Sequence, residues 1–216
     1  DNFSMLSFAT AIEPLRIANR MIGRKVYNWR LLTLDGEPAL ASNGIRLQVD
    51  GSIKDEREQI RRGEKPDLVF ICASMNVERF HDKGLNSWIC ALDRQKVPVG
   101  ALCTGAWILA DAGLLDGKRC AIHWEQLPAF AEKFPEAEVY ADLFEVDGGT
   151  YTCAGGTASL DMMLHMIGQD FDDNVVTQVC EQALTDRMRN PQDRQRLPLR
   201  ARLGLQNTKL LFIIEL

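Results

Sequence analysis

Cys103 is the residue with the clearest capacity for chemistry. It lies in VPVGALCTGAWILADAG, where an apolar run, Val97 to Leu102, passes directly into a segment with helical periodicity. Gly100 and Gly105 flank it. A nucleophile elbow needs this arrangement, because small neighbours let the chain turn sharply and present one side chain over the end of a sheet. A thiol there faces the unpaired N–H groups and dipole of a helix N-terminus, which favour the thiolate. The backbone N–H of Thr104 is then a candidate oxyanion donor. A second reading stays open, since free cysteines commonly serve as small buried hydrophobes.

His123 follows twenty residues later, at the end of RCAIHW. A Cys–His pair brought together by the fold is the usual minimum for thiol nucleophilic catalysis. The alternative is a histidine that belongs to a helix N-cap region. Glu125 completes an H-x-E string and reads as an early-helix acid favoured by the dipole. His165, in LDMMLHMI, reads as a core histidine, and His81, among Arg79, Asp82 and Lys83, as a surface one. Trp107 and Trp124 would suit a quaternary ammonium through cation–π contacts if they line a pocket. Packing is the competing role for both.

The elements that must position these residues alternate between strand and helix. Ala9–Ile22 carries a helical apolar stripe, and Tyr27–Leu34 is rich in strand formers before the Asp35-Gly36 turn signal. A charged helix is expected over 54–65, followed by the continuous apolar run DLVFICA, which reads as a buried parallel strand. Helices over 84–96 and 104–112 bracket the strand Val97–Leu102. A short strand, Arg119–Ile122, leads into a helix over 124–134. LFEVDGGTYTCAG reads as a hairpin, because Asp-Gly and Gly-Gly supply the positive φ such turns require. Helices over 157–167 and 174–188 follow, and then RNPQDRQRLPLRAR, which reads as a solvated linker. Strands separated by helices imply a mostly parallel sheet covered on both faces, a three-layer α/β/α fold with a β-hairpin extension. Ligands in such sheets sit at the carboxyl ends of the strands.

Composition narrows the function classes. The chain is 216 residues long, with 46% hydrophobic and 25% charged residues and a formal net charge of −5. It has no basic run of five or more, so it is a poor nucleic-acid clamp by itself. Its apolar runs are too short to span a bilayer. Six cysteines at wide spacing, with no CxxC pair, read as reduced cytoplasmic thiols rather than a disulfide frame or a zinc site. No metal or other cofactor is expected. The chain opens at Asp1 and closes in TKLLFIIEL, so both ends read as cut.

Four strings, in order, resemble the ThiJ/PfpI superfamily, the class I glutamine amidotransferase-like fold. The resemblance is closest to sensor domains of AraC-family regulators in the arginine, carnitine and glycine betaine group. The strings are FSMLSFATAIEPLRIANR, ALCTGAWILADAGLLDGKRCAIHW, GGTYTCAGGTASLDMMLHMI and the arginine-rich tail with LGLQNTKLL. The resemblance implies a flavodoxin-like, doubly wound sheet with Cys103 as the elbow cysteine and His123 as its partner. It implies a sensing domain over 1–190, whose first strand is missing or truncated. A linker over 191–216 would lead to a helix-turn-helix module absent from the chain. It also implies departures from the superfamily's enzymes. Thr10 stands where many carry an acid, aligned on Pro14 with Glu13 beside the proline, and Ala73-Ser74 replaces a Gly-Gly pair. The expected ligand-binding set is therefore Cys103, Thr104, His123, Trp124, Ser74, Thr10 and Glu13.

Two functions follow. The first is a non-catalytic, cytoplasmic, homodimeric module that binds a small effector, such as an amino acid, betaine or carnitine-like metabolite. It would reach DNA only through the absent helix-turn-helix module. The second is a cysteine-dependent enzyme acting as a hydrolase, a hydratase or on reactive carbonyls. The arginine-rich tail favours the first, and the Cys103–His123 pair is common to both.

Overall fold

VFICA and VGALC carry no charged side chain, and they form neighbouring parallel strands of the main sheet. The computed structural model describes residues 2–196. In chain order the elements are α1 (Met5–Ile22), β1 (Leu32–Thr33), β2 (Ala39–Leu40), β3 (Arg46–Leu47), β4 (Gly51–Ser52), α2 (Ile53–Arg61) and β5 (Val69–Ala73). After a 3-10 turn at Val77–Arg79 come α3 (Lys83–Arg94), β6 (Val99–Cys103), α4 (Ala106–Asp111), β7 (Arg119–Ala121) and α5 (Leu127–Lys133). The last are β8 (Glu138–Tyr140), β9 (Phe144–Asp147), β10 (Thr150–Cys153), α6 (Ala158–Asp170) and α7 (Asp173–Ala183).

The main sheet has the order β5-β6-β10-β9, with β5, β6 and β10 parallel and β9 antiparallel. Its middle strand β6 is buried along its whole length, and its residues alternate between two cores. Val99 and Ala101 pack with Trp88, Ile89 and Leu92 of α3 and Leu109 of α4. Leu102 packs on the other face with Ala11 of α1 and Met162 and Met163 of α6. A further cluster, Ile17, Ala18, Leu164, Ile167 and Val179, fastens α1 to α6 and α7. The arrangement is the flavodoxin-like three-layer α/β/α fold. Among the described residues no helix is long and apolar enough to cross a membrane.

The hairpin joins β9 to β10 with Thr150 opposite Asp147. Gly148 and Gly149 both have positive φ, +55° and +78°, as a two-residue turn of the I′ type requires. The strand expected over Tyr27–Leu34 shrinks to β1. Asn19, in the last turns of α1, accepts from the N–H groups of Val26 and Tyr27 and donates to the Tyr27 carbonyl, so this stretch is tied to a helix instead of a sheet. The charged helix ends at Arg61, just before Gly63 at φ +96°. Strand β8 was not foreseen. It is three residues long, too short for a period-2 pattern, and owes its existence to parallel pairing with β7.

The larger correction concerns the start of the arginine-rich tail. Residues 189–196 pack against the domain instead of running through solvent. The Arg189 guanidinium donates to Asp161 at 2.6 and 2.9 Å, and its backbone N–H donates to the same carboxylate at 2.7 Å. The Pro191 carbonyl accepts from Leu143 N–H at 2.7 Å. Asp161 is buried among the apolar residues of α6, where a carboxylate needs a paired cation and full hydrogen bonding. The tail from Leu197 onward, including LGLQNTKLL, lies outside the described residues.

Candidate functional site

Cys103 has φ +61°, a left-handed backbone for a residue with a Cβ. Such a conformation costs about 1–3 kcal/mol and persists only where the surroundings over-determine it. Here two glycines do so. A Cβ on Gly105 would stand 2.3 Å from the Ile71 carbonyl oxygen of β5, and one on Gly155 would stand 2.5 Å from the Cys103 Cβ. The strand ends are in register, with Ala73 opposite Cys103 and Cys153 opposite Leu102. The segments leaving β5, β6 and β10 therefore meet at one carboxyl edge. Strand β7 joins that edge through Ala121 N–H, which donates to Thr152 Oγ1 at 2.9 Å.

The wall facing the thiol comes from α1. Ser7, fully buried, donates from Oγ to Ser4 Oγ at 2.9 Å and accepts from Gly156 N–H at 2.7 Å. Thr10, three residues on, donates to the Gly156 carbonyl at 2.6 Å. One helix face thus grips both sides of Gly156 and presents Ser7 to the thiol. Sequence reasoning pointed to Thr10 and missed Ser7. The available clue was the i, i+3 spacing of two hydroxyls on a helix that must face a Gly-Gly pair. On the opposite side Thr104 Oγ1 donates to the Ser74 carbonyl at 2.6 Å, locking the elbow to the end of β5.

Burial governs the chemistry of the pair. Cys103 is 7% exposed, and desolvation, reinforced by the neighbouring Cys153, pushes its pKa up to about 11. The Thr104 N–H and the hydroxyls of Ser7 and Ser74 pull the other way and do not offset it. The thiolate expected from the helix terminus is therefore disfavoured at neutral pH. Helix α4 is only six residues long and cannot supply the field of a long helix. Burial also lowers the His123 pKa, partly opposed by Glu125. Thiol and imidazole are thus both neutral near pH 7. Among the described residues no hydrogen bond joins the two side chains. Their link is through backbone, His123 N–H to the Cys103 carbonyl at 3.4 Å. His123 Nδ1 instead accepts from Glu125 N–H, at 3.4 Å.

This makes the Cys103 thiol a slow nucleophile with a recognisable pH dependence. Its alkylation by iodoacetamide should rise about tenfold per pH unit from pH 7 to 9, because the thiolate fraction grows tenfold per unit below the pKa. Peptide mass spectrometry of the fragment carrying Cys103 measures this directly. A rate already flat by pH 8 would show a low-pKa thiolate and contradict the burial argument.

The remaining candidates divide. Ser74, Thr104 and His123 are tied to the elbow by hydrogen bonds, His123 through its backbone N–H, and Thr10 is tied to Gly156. Trp124 follows His123, with ring centroids 5.6 Å apart, and carries the Arg196 guanidinium 4.1 Å above its ring. Glu13 is half-exposed and pairs with Arg16 at 2.6 Å, so it is engaged on the helix surface. Trp107 belongs to the core. It is buried against Phe130 and Phe134, in the layer formed with α5. His165 is half-buried and hydrogen-bonded to Gln169, and His81 is exposed beside Asp111. Among the described residues no cluster of His, Cys, Asp and Glu could hold a metal ion.

Comparison with known proteins agrees with this geometry. Residues 10–169 match the DJ-1/PfpI family. The chain is 43% identical over 212 residues to HTH-type transcriptional regulator CdhR of Pseudomonas aeruginosa, covering 98% of this chain and 61% of the relative. It is 39% identical over 216 residues to HTH-type transcriptional regulator GbdR of the same species, covering 100% and 57%. The chain therefore spans about six-tenths of the length of these relatives. Among solved structures, an AraC family transcriptional regulator from Pseudomonas putida superposes with a TM-score of 0.76 at 25% identity, covering 86% of this chain and 95% of that one. Drosophila melanogaster DJ-1beta shares the fold, with a TM-score of 0.68 at 18% identity over 86% and 94% of the two chains. With its elbow cysteine at the carboxyl edge of a parallel sheet and the match spanning most of its length, the chain belongs to the DJ-1/PfpI family.

Proposed function

We propose that this chain is the effector-sensing module of a transcription regulator. It binds a small metabolite at the Cys103 elbow and acts on DNA through a helix-turn-helix module beyond it, as a cytoplasmic homodimer. The observation that carries the reading is the state of the pair. A buried, protonated thiol with no side-chain link to His123 is a poor nucleophile but a serviceable wall for a ligand. The names of the relatives support the regulatory role. Residues 1–190 would form the sensing domain, and 191–216 would begin the connection to the module. Ser7, Thr10, Ser74, Thr104, His123 and Trp124 would surround the ligand with Cys103. Glu13, occupied by Arg16, is left out of the set.

Hydroxyls, backbone amides, a neutral imidazole and an indole suit a small zwitterion or quaternary ammonium better than an apolar ligand. A thermal-shift screen of amino acids, betaines and carnitine tests this. A ligand that binds only the folded state, at a hundredfold excess over Kd, adds about 2.7 kcal/mol of stability. For a domain of this size that raises Tm by roughly 5–10 °C. A His123→Ala variant should lose most of the rise. A rise unchanged in that variant would place the ligand elsewhere. The enzymatic reading draws on the strained backbone at Cys103, a geometry that strand–helix elbows use to expose nucleophiles.

A further inference from the structure

The arm formed by residues 189–196 ends on the segment that carries His123. Gln195 Nε2 donates to two carbonyls at once, Ile122 at 3.0 Å and Asp142 at 2.8 Å. Ile122 is the last residue before His123, and Asp142 precedes Leu143, whose N–H holds the Pro191 carbonyl. The Gln195 Oε1 atom is buried and accepts no hydrogen bond from the described residues. Arg196 lays its guanidinium on Trp124, whose other neighbour is the His123 ring. At its other end the arm is anchored by Arg189 on Asp161.

These contacts differ in strength. Arg189 donates from Nε and Nη2 to Oδ2 of the buried Asp161 carboxylate and from its backbone N–H to Oδ1, whereas the distal clamp consists of one amide and one cation–π contact. A buried acceptor left unsatisfied weakens the distal clamp further, since such an atom forfeits its hydration without compensation. The arm is thus fixed at its root and lightly held at its tip, and the tip rests on Ile122 and Trp124, the two chain neighbours of His123, whose backbone N–H reaches the Cys103 carbonyl.

We propose that Gln195 and Arg196 form a latch on the His123–Trp124 segment, so that displacement of His123 and release of the arm tip are coupled. This rests on the reading of the elbow as a ligand site, because the occupant there is what would displace His123. The latch gives occupancy a route into the chain beyond Arg196, and two-site coupling of this kind must act in both directions.

Reciprocity allows a test without any ligand. Hydrogen exchange is followed on the full 216-residue chain, wild type, Gln195→Ala, Arg196→Gln and Arg196→Lys. Loss of either clamp should speed exchange at the His123, Glu125 and Gln126 amides about tenfold, while the α6 amides stay protected. Arg196→Lys, which keeps a cation over the indole, should retain slow exchange. In the reverse direction, His123→Ala should speed exchange at Leu143 N–H, which reports docking of Pro191. Unchanged exchange at residues 123–126 in both clamp variants would overturn the latch. So would acceleration spread evenly over α6, which marks a general loss of stability. Failure of every metabolite to bind would count against the elbow reading and leave these exchange results standing.

Discussion

Gly105→Ala should destabilise the chain by about 3 kcal/mol or more, lowering Tm by roughly 6–12 °C. The reason is steric alone. Gly105 has φ −59°, which alanine adopts freely, so no backbone penalty enters. The added Cβ would meet the Ile71 carbonyl oxygen at 2.3 Å and the Leu102 carbonyl oxygen at 3.1 Å. Leu102 lies in the fully buried strand β6, and Ile71 in the edge strand β5, whose ladder to β6 and packing in the adjoining core oppose retreat. Gly23→Ala makes the contrasting case. Its φ is +78° and its Cβ would meet nothing within 4 Å, so only the left-handed conformation is penalised, at about 1 kcal/mol. Chemical denaturation of the two variants beside wild type separates the two costs. Equal losses would show that the elbow tolerates a wider β5–β6 corner than its geometry allows.

Arg189→Ala should cost about 3 kcal/mol, at the lower end of the range for a broken buried ion pair. Asp161 has a side chain only 3% exposed, whereas Arg189 is 37% exposed. Truncating the arginine leaves the carboxylate buried with a single backbone N–H as partner. The partial exposure of Arg189 lets water replace some of what is lost, hence the lower end. Asp161→Asn should cost less, because a neutral amide can still accept from the Arg189 guanidinium. Urea denaturation orders the two variants. A milder effect for Arg189→Ala than for Asp161→Asn would mean that the arm contributes nothing to the charge balance of α6.

How far the molecule was legible in the sequence depends on where the determining contacts lie. The elbow was readable because its causes are local: an apolar strand, a cysteine, flanking glycines and an apolar helix within seventeen consecutive residues. The hairpin was readable for the same reason, since Gly148 and Gly149 alone specify its turn. The protonation state of Cys103 was not, because it follows from burial under α1 and β10, far away in sequence. Ser7 was missed because its role is defined by Gly156, 149 residues later. Trp107 was open to either a ligand or a packing role, and the structure gives it packing. Successive residues on a helix point to different faces, and this one faces α5. The arm misled most, because its prolines and arginines match a linker. A lone aspartate in the apolar helix ASLDMMLHMI was the hint that a cation had to return to it.

The central claim is that the elbow binds rather than converts its ligand, and Cys103→Ser tests it most directly. Serine keeps a small polar side chain in the same left-handed corner, between Ser7, Ser74 and Thr104. Calorimetric titration of wild type and Cys103→Ser with the metabolite found by thermal shift is paired with an assay for its chemical conversion. Binding should survive in the variant within about tenfold in Kd, a change of about 1.4 kcal/mol, and neither protein should yield product. Conversion by wild type that disappears in Cys103→Ser would contradict the account, because only a nucleophilic thiol loses turnover in that way.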